Sequence, residues 1–440
     1  MGALAYFFPK EGLALGPMSL KFTSLTDILG SEEAEEEEMT ISPEELMEAQ
    51  RVAALKATGD SLETYLLTNN VRFHLPENNL KFFDSLFMTL EGADSTAVRV
   101  VHYGDSQIEV DRMTCVFRDS LQKRFGGDGQ GMMPARTHYT FGMNGKSSVE
   151  RERFMVFSKR AENNKYGPYG DFVRIAGDTV ILSFGQSGRK DVIRKLFNEV
   201  TLLAGNTQGE GLSVTYGKQT VKFPAGRNYV RAVFNVPDSS SRVKISVRGS
   251  ADLYGVLMDN KTGVNVDNVP MRGCSGTIFT SMNREQLSTF YKDENVRLIL
   301  MQFGGNRVPG LKNGEQISKF CQTTRKQIKD LQELAPEAAI VYIGPSDMAT
   351  SVNGKMQTYA ILPQLIDSLR HTAISAGAAY WDIYAAMGGK NSMTKWVSSG
   401  LAGRDHIHFT TKGSYNMGNT FTTSFLQLYE YYLWRKENEE

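Results

Sequence analysis

Two textures divide this chain, and their order limits its fold more than any other feature. Near residue 97, and again from about 296 onward, short β-rich runs alternate with helical patterns. Between about 145 and 265 the helical pattern all but vanishes. Ala97-Val98-Arg99-Val100-Val101-His102-Tyr103 stops at Gly104-Asp105-Ser106, and Val110–Phe125 resumes a helical spacing. Strand, tight turn, helix is the opening of a parallel α/β unit. The same alternation returns with strands at Val296–Phe303, Ala338–Ile343 and Ala378–Ile383. Helices are expected at Glu315–Leu334, Thr358–Ser375 and Thr411–Trp434.

The middle stretch reads differently. Thr179–Phe184, Glu199–Leu203, Leu212–Tyr216, Gln219–Phe223, Tyr229–Asn235, Arg242–Arg248 and Leu253–Met258 are rich in Val, Ile, Phe and Tyr, with turn residues between them. Such spacing suggests a β-sandwich or jelly roll. The expectation is therefore an α/β domain split by an all-β insertion. Its parts are an extension with an acidic linker at 1–40, a helical lead-in at 41–95, a first α/β part at 96–144, the insertion at 145–265 and a second α/β part at 266–440.

Six of the seven residues 32–38 are Glu, a self-repelling block that reads as a solvated linker. Ser42, Pro43 and Glu45 form a helix start that should run toward Leu66, and Asn69-Asn70 should end it. A second helix is expected over about Asn79–Leu90. Ala3–Phe8 is apolar but too short to span a bilayer, and it lacks the basic flank of a signal peptide. It reads as a loose terminus or as the remnant of a signal or anchor.

Composition narrows the function classes. The 440 residues are 41% hydrophobic and 22% charged, which rules out wholesale disorder and a polytopic membrane protein. Lys+Arg and Asp+Glu are 49 each, so nothing forecasts nucleic-acid binding. The three cysteines, Cys115, Cys274 and Cys321, are far apart and make no disulfide framework.

Four short segments could carry chemistry. Ser106 follows the first strand on the turn into a helix, in the crevice where open α/β sheets place their sites. Alone, Gly-Asp-Ser is more often a capped turn. Asp405-His406-Ile407-His408 lies just before the last helix, so one loop could present an acid and a base to a serine. A metal site built on Asp405, His406 and His408 competes with that reading, though only six His occur in the chain. Gly304-Gly305-Asn306 follows another strand, where an Asn amide can serve an oxyanion or simply make a turn. Gly273-Cys274-Ser275-Gly276-Thr277 follows the insertion, and a glycine there offers its N–H without a side chain in the way. Cys274 reads as a buried small hydrophobe. No Gly-x-Ser-x-Gly elbow exists, Gly145-Lys146-Ser147 lacks the first glycine of a phosphate loop, and Gly127, Gly129 and Gly131 follow a helix and not a strand.

Taken in order, these four segments resemble the four blocks of the SGNH (GDSL) hydrolase family, over about residues 97–143 and 266–435. The resemblance implies a flavodoxin-like three-layer α/β/α domain. It also implies that Ser106 is the nucleophile, His408 the general base and Asp405 its orienting acid. Ser106, Gly276 and Asn306 would form the oxyanion hole, with no cofactor and no metal. Thr277 and Arg307 depart from the usual block residues, which bears on substrate choice. His102–Glu109, Phe125–Gly131, Ile343–Asp347 and Trp381-Asp382 with Met387-Gly388-Gly389 are similar to bacterial cell-envelope members. That group includes peptidoglycan O-acetylesterases with a carbohydrate-binding β-sandwich inserted between the first two blocks. By this analogy the chain is an O-acetylesterase acting on O-acetylated polysaccharide or peptidoglycan in the periplasm or cell envelope. An O-acetyltransferase using the same residues and a non-catalytic glycan-binding protein are the alternatives, and a membrane acyltransferase is a conceivable partner.

Overall fold

The structure is a computed structural model that describes residues 13–15, 18–20, 59–69, 71–149, 152–189, 192–193 and 195–438. The acidic block and the helix start at Ser42 lie outside the described residues. The helix expected to follow it is seen only as Gly59–Thr68.

Five parallel strands form the centre: β1 (Val98–Gly104), β2 (Val264–Pro270), β3 (Val296–Gln302), β4 (Ala339–Ile343) and β5 (Ala379–Trp381). Their order in the sheet is β2-β1-β3-β4-β5, with Phe73–His74 added antiparallel at the β5 edge. This is the flavodoxin-like order, which reverses between β1 and β3. Every residue of β1 is buried, as expected of a strand covered on both faces. Alternate residues feed two cores. Val98, Val100, Leu298, Leu300, Val341 and Trp381 pack toward helices Asp84–Glu91, Thr114–Phe125 and Thr411–Asn438. Val101, Tyr103, Ile299, Met301 and Tyr342 pack toward helices Arg284–Asp293, Gly314–Leu334 and Leu362–Ser375. The result is three layers. Helix Gly314–Leu334 shows why the sequence falls this way: Ile317, Phe320, Cys321, Ile328 and Leu331 recur at helical spacing on its buried face. The Asn313 side chain caps its first turn.

Between β1 and β2 the chain makes a nine-stranded antiparallel sheet, and among the described residues from 131 to 270 no helix occurs. This sheet begins ahead of residue 145, because Gly131–Met133, His138–Tyr139 and Met143–Ser147 already belong to it. Its strands are also longer than the sequence runs suggested. Glu199–Leu203 and Leu212–Tyr216 are two ends of one strand, Phe197–Tyr216, and Arg242–Asp259 likewise joins two runs. Their pairing register shifts between Leu203 and Leu212, where Asn206, Gly209 and Gly211 have positive φ. Such bulges bend a strand without ending it. The two bent halves close over one apolar cluster that includes Leu182, Val200, Leu202, Val214, Ile245 and Val256.

The inserted sheet is fastened to the α/β layers. Leu203, Tyr254 and Leu257 are buried in the same cluster as Val101, Tyr103 and Phe279. Arg99 of β1 is buried among Asp259, Asp267 and Glu294.

Candidate active site

The strand register brings three loops together at the carboxyl edge of the sheet. Gly104, at the end of β1, pairs with Pro270 of β2 and with Gln302 of β3. The segments that follow, Asp105–Asp111, Met271–Gly276 and Phe303–Gly310, therefore start side by side. The loop Gly403–Thr410, before the last helix, closes the group from across the chain.

Ser106 opens a 3-10 turn capped by Asp105, whose Oδ1 accepts from the Gln107 N–H at 2.9 Å. The turn was expected to pass straight into a helix at Val110. Instead Val110 and Asp111 adopt left-handed backbone, φ 53° and 68°, and the helix begins at Thr114. A β-branched residue rarely takes that conformation. Here Asp111 is held by two bonds from the buried Arg118, 2.6 and 3.1 Å, and one from Gln130 at 2.9 Å.

Ser106, His408 and Asp405 form a chain of short contacts. Ser106 Oγ lies 2.8 Å from His408 Nε2, and His408 Nδ1 lies 2.7 Å from Asp405 Oδ2. Asp405 Oδ1 accepts from the backbone N–H groups of Ile407 and His408, at 3.0 and 3.1 Å. Burial alone would raise the Asp405 carboxyl. The His408 ring and these two amides outweigh it and hold the group down to about 2. An ionised Asp405 fixes the imidazole orientation and leaves Nε2 facing the hydroxyl. His406 lies outside this group. The loop is a tight turn: His406 has φ 58°, its N–H donates to Gly403 O, and the Gly403 N–H returns to His408 O.

Of the residues expected to form an oxyanion hole, Ser106 and Asn306 line the cavity and Gly276 does not. Asn306 lines the cavity beside Ser106 and His408. Its Nδ2 donates to Asp105 Oδ2 at 3.1 Å and to Cys274 O at 2.9 Å. Gly276 does not line the cavity. Its N–H donates to Cys274 Sγ at 3.3 Å, and a Cβ there would stand 2.6 Å from the Phe303 side chain. The tight turn from Met271 to Cys274 puts Gly273 at its tip instead, with φ 81° and nothing within 4 Å of a Cβ position. Gly273 lines the cavity, so the glycine of this segment at the site is Gly273. Cys274 is buried, with its thiol raised to about 11 chiefly by burial, and its carbonyl and sulfur hold Asn306 and Gly276. Arg307 is absent from the cavity lining, and its guanidinium lies 5.6 Å over Phe320.

Three residues escaped the sequence reading. Asp105 is buried, and burial above all raises it to about 6, against the pull of the Gln107 amide, His408 and Arg112. Gln107 and Arg112 link the serine turn to the histidine loop. Asp105 and Gln107 sit inside segments the sequence singles out, but nothing local tells what they touch: Asp105 meets Asn306, Gln107 meets Ile407 and Arg112 meets Phe409, 201, 300 and 297 residues away in sequence. The cavity has a volume of about 250 Å³. That is below the roughly 300–1,000 Å³ of sites for drug-sized ligands, so it suits a small group.

No protein-family model matches the chain, and no curated protein matches it in sequence. Solved structures do match. A peptidoglycan O-acetylesterase superposes with a TM-score of 0.66 at 19% identity, covering 79% of this chain and 96% of its own. A family two carbohydrate esterase from Cellvibrio japonicus matches with a TM-score of 0.26 at 11% identity, covering 66% and 98%. A GDSL-like lipase from Parabacteroides merdae matches with a TM-score of 0.28 at 14% identity, covering 37% and 74%. The first likeness shows the fold, a three-layer α/β/α domain with the flavodoxin-like strand order.

Proposed function

We propose that the chain is a serine esterase that removes small acyl groups, acetyl above all, from a cell-envelope glycan. The observation that carries this reading is the unbroken path Ser106 Oγ–His408 Nε2–His408 Nδ1–Asp405 Oδ2. A hydroxyl has no nucleophilicity worth using until a base can take its proton. His408 is in place to do so, and Asp405 stabilises the imidazolium that forms. Ser106 Oγ attacks the ester carbonyl carbon, and the oxyanion is met by the N–H groups of Ser106 and Gly273 and the amide of Asn306. Collapse breaks the carbonyl–alkoxy bond, and His408 returns its proton to the departing sugar oxygen. Water then repeats the cycle and frees the acid.

Substrate class rests on two supports. The small cavity favours a short acyl group. A structural neighbour that superposes with a TM-score of 0.66 is a peptidoglycan O-acetylesterase. In this reading the inserted sheet, tied to the serine turn by the Phe141 N–H bond to Val110 O, stands beside the approach of the glycan, and its part in guiding it belongs to the proposal. Among the described residues no helix is long and apolar enough to cross a membrane. The envelope location and a membrane acyltransferase partner belong to the proposal.

The test is p-nitrophenyl acetate with and without an oligosaccharide acceptor. Free acetate in both arms supports the esterase. Acetylated oligosaccharide makes the chain a transferase using the same serine, and no turnover contradicts catalysis.

A further inference from the structure

The two halves of the catalytic pair lie 302 residues apart on separate loops. We propose that Gln107 is the positioning residue that holds His408 at working distance from Ser106, with Arg112 bracing it; this rests on the esterase reading above.

Gln107 Nε2 donates to Ile407 O at 2.7 Å, and Gln107 Oε1 accepts from the Phe409 N–H at 3.4 Å. One side-chain amide thus engages the backbone on both sides of His408. A neighbouring parallel strand would bond the same way, donating to the residue before and accepting from the residue after. Here a side-chain carboxamide makes that pair of bonds. The Gln107 side chain also donates to Ser346 Oγ at 3.3 Å. Arg112, buried, locks the other side: Nε donates to Gln107 O at 3.0 Å, Nη1 to Phe409 O at 3.2 Å, and Nη2 to Ser106 O. The guanidinium therefore binds the backbone of both loops at once. Gln107 is buried, so no water substitutes easily for these bonds.

Gln107→Met keeps the length and bulk of the side chain and loses both loop bonds. On p-nitrophenyl acetate it should lower kcat by about 10- to 100-fold and leave KM within about twofold, as misplacement of a reacting group does. Its melting transition should stay cooperative. A kcat within about twofold of wild type overturns the proposal. If the Met variant does not fold, Gln107→Asn, which keeps the amide and shortens its reach, is read by the same criterion. Ser106→Ala in the same assay separates the two layers. If it is as active as wild type, the esterase reading itself fails. If it is dead while Gln107→Met is fully active, only the positioning role fails.

Discussion

Asp105 and Asn306 are joined side chain to side chain, Oδ2 to Nδ2 at 3.1 Å, so the residue before the serine aims the amide that the proposed mechanism sets against the oxyanion. The second amide hydrogen goes to Cys274 O. Both are engaged at rest, and a developing oxyanion must share one of them. That donor then matters where negative charge exists, in the transition state. Asn306→Ala should lower kcat by about 10²–10³ with little change in KM. Steady-state kinetics with a thermal melt checks this, and unchanged kcat would reduce Gly304-Gly305-Asn306 to a turn.

His408→Ala should abolish nearly all turnover, whereas His406→Ala should leave most of it. Only His408 reaches Ser106, while His406 contributes a backbone carbonyl that accepts from the Ala349 N–H. EDTA should leave the rate unchanged. A more damaging His406→Ala, or loss of activity with chelator, would revive the metal reading.

Four of the five parallel strands and the segments that carry Ser106, Asp405 and His408 were legible because each rests on local pattern; the sheet order came only from the family resemblance, and Val264–Pro270, which straddles the end expected for the insertion, was not read as a strand. Val98–Gly104 is β-branched and apolar, helix Gly314–Leu334 is periodic and capped, and the three residues sit at element ends. What stayed hidden depends on long-range contact. Nothing local says that Gly273 and not Gly276 reaches the cavity, since Phe303 and Cys274 decide it. Nor do the runs 199–203 and 212–216 reveal that Asn206, Gly209 and Gly211 bend one strand and do not break it.

Stability should depend on pH through the buried cluster at Arg99. Burial, more than Arg99 can offset, raises Asp259 to about 7, with Asp267 and Glu294 beside it adding to the effect. The folded state therefore keeps a proton that the unfolded chain loses near pH 4. As the folded form binds more protons across that window, stability falls as pH rises from about 4 to about 7. Asp259→Asn should flatten the upper part of this fall. Melting temperatures at pH 5 and pH 8 test it, and a variant with the wild-type difference would contradict the account.

The inserted sheet should not be removable. Tyr254 is fully buried against the α/β core, and its Oη accepts from Gln286 Nε2 at 2.8 Å. Tyr254→Ala should cost about 3–5 kcal/mol, the range for losing a buried aromatic ring. Chemical denaturation measures this. A cost below about 1 kcal/mol would mean the insert rests on the α/β layers only loosely.

The central claim is that Ser106 becomes acylated, and intact mass after treatment with a fluorophosphonate tests it most directly. The account predicts one adduct on the wild-type chain, located on the peptide that carries Ser106, and none on Ser106→Ala. An unlabelled wild type, or an adduct that persists in Ser106→Ala, would contradict it.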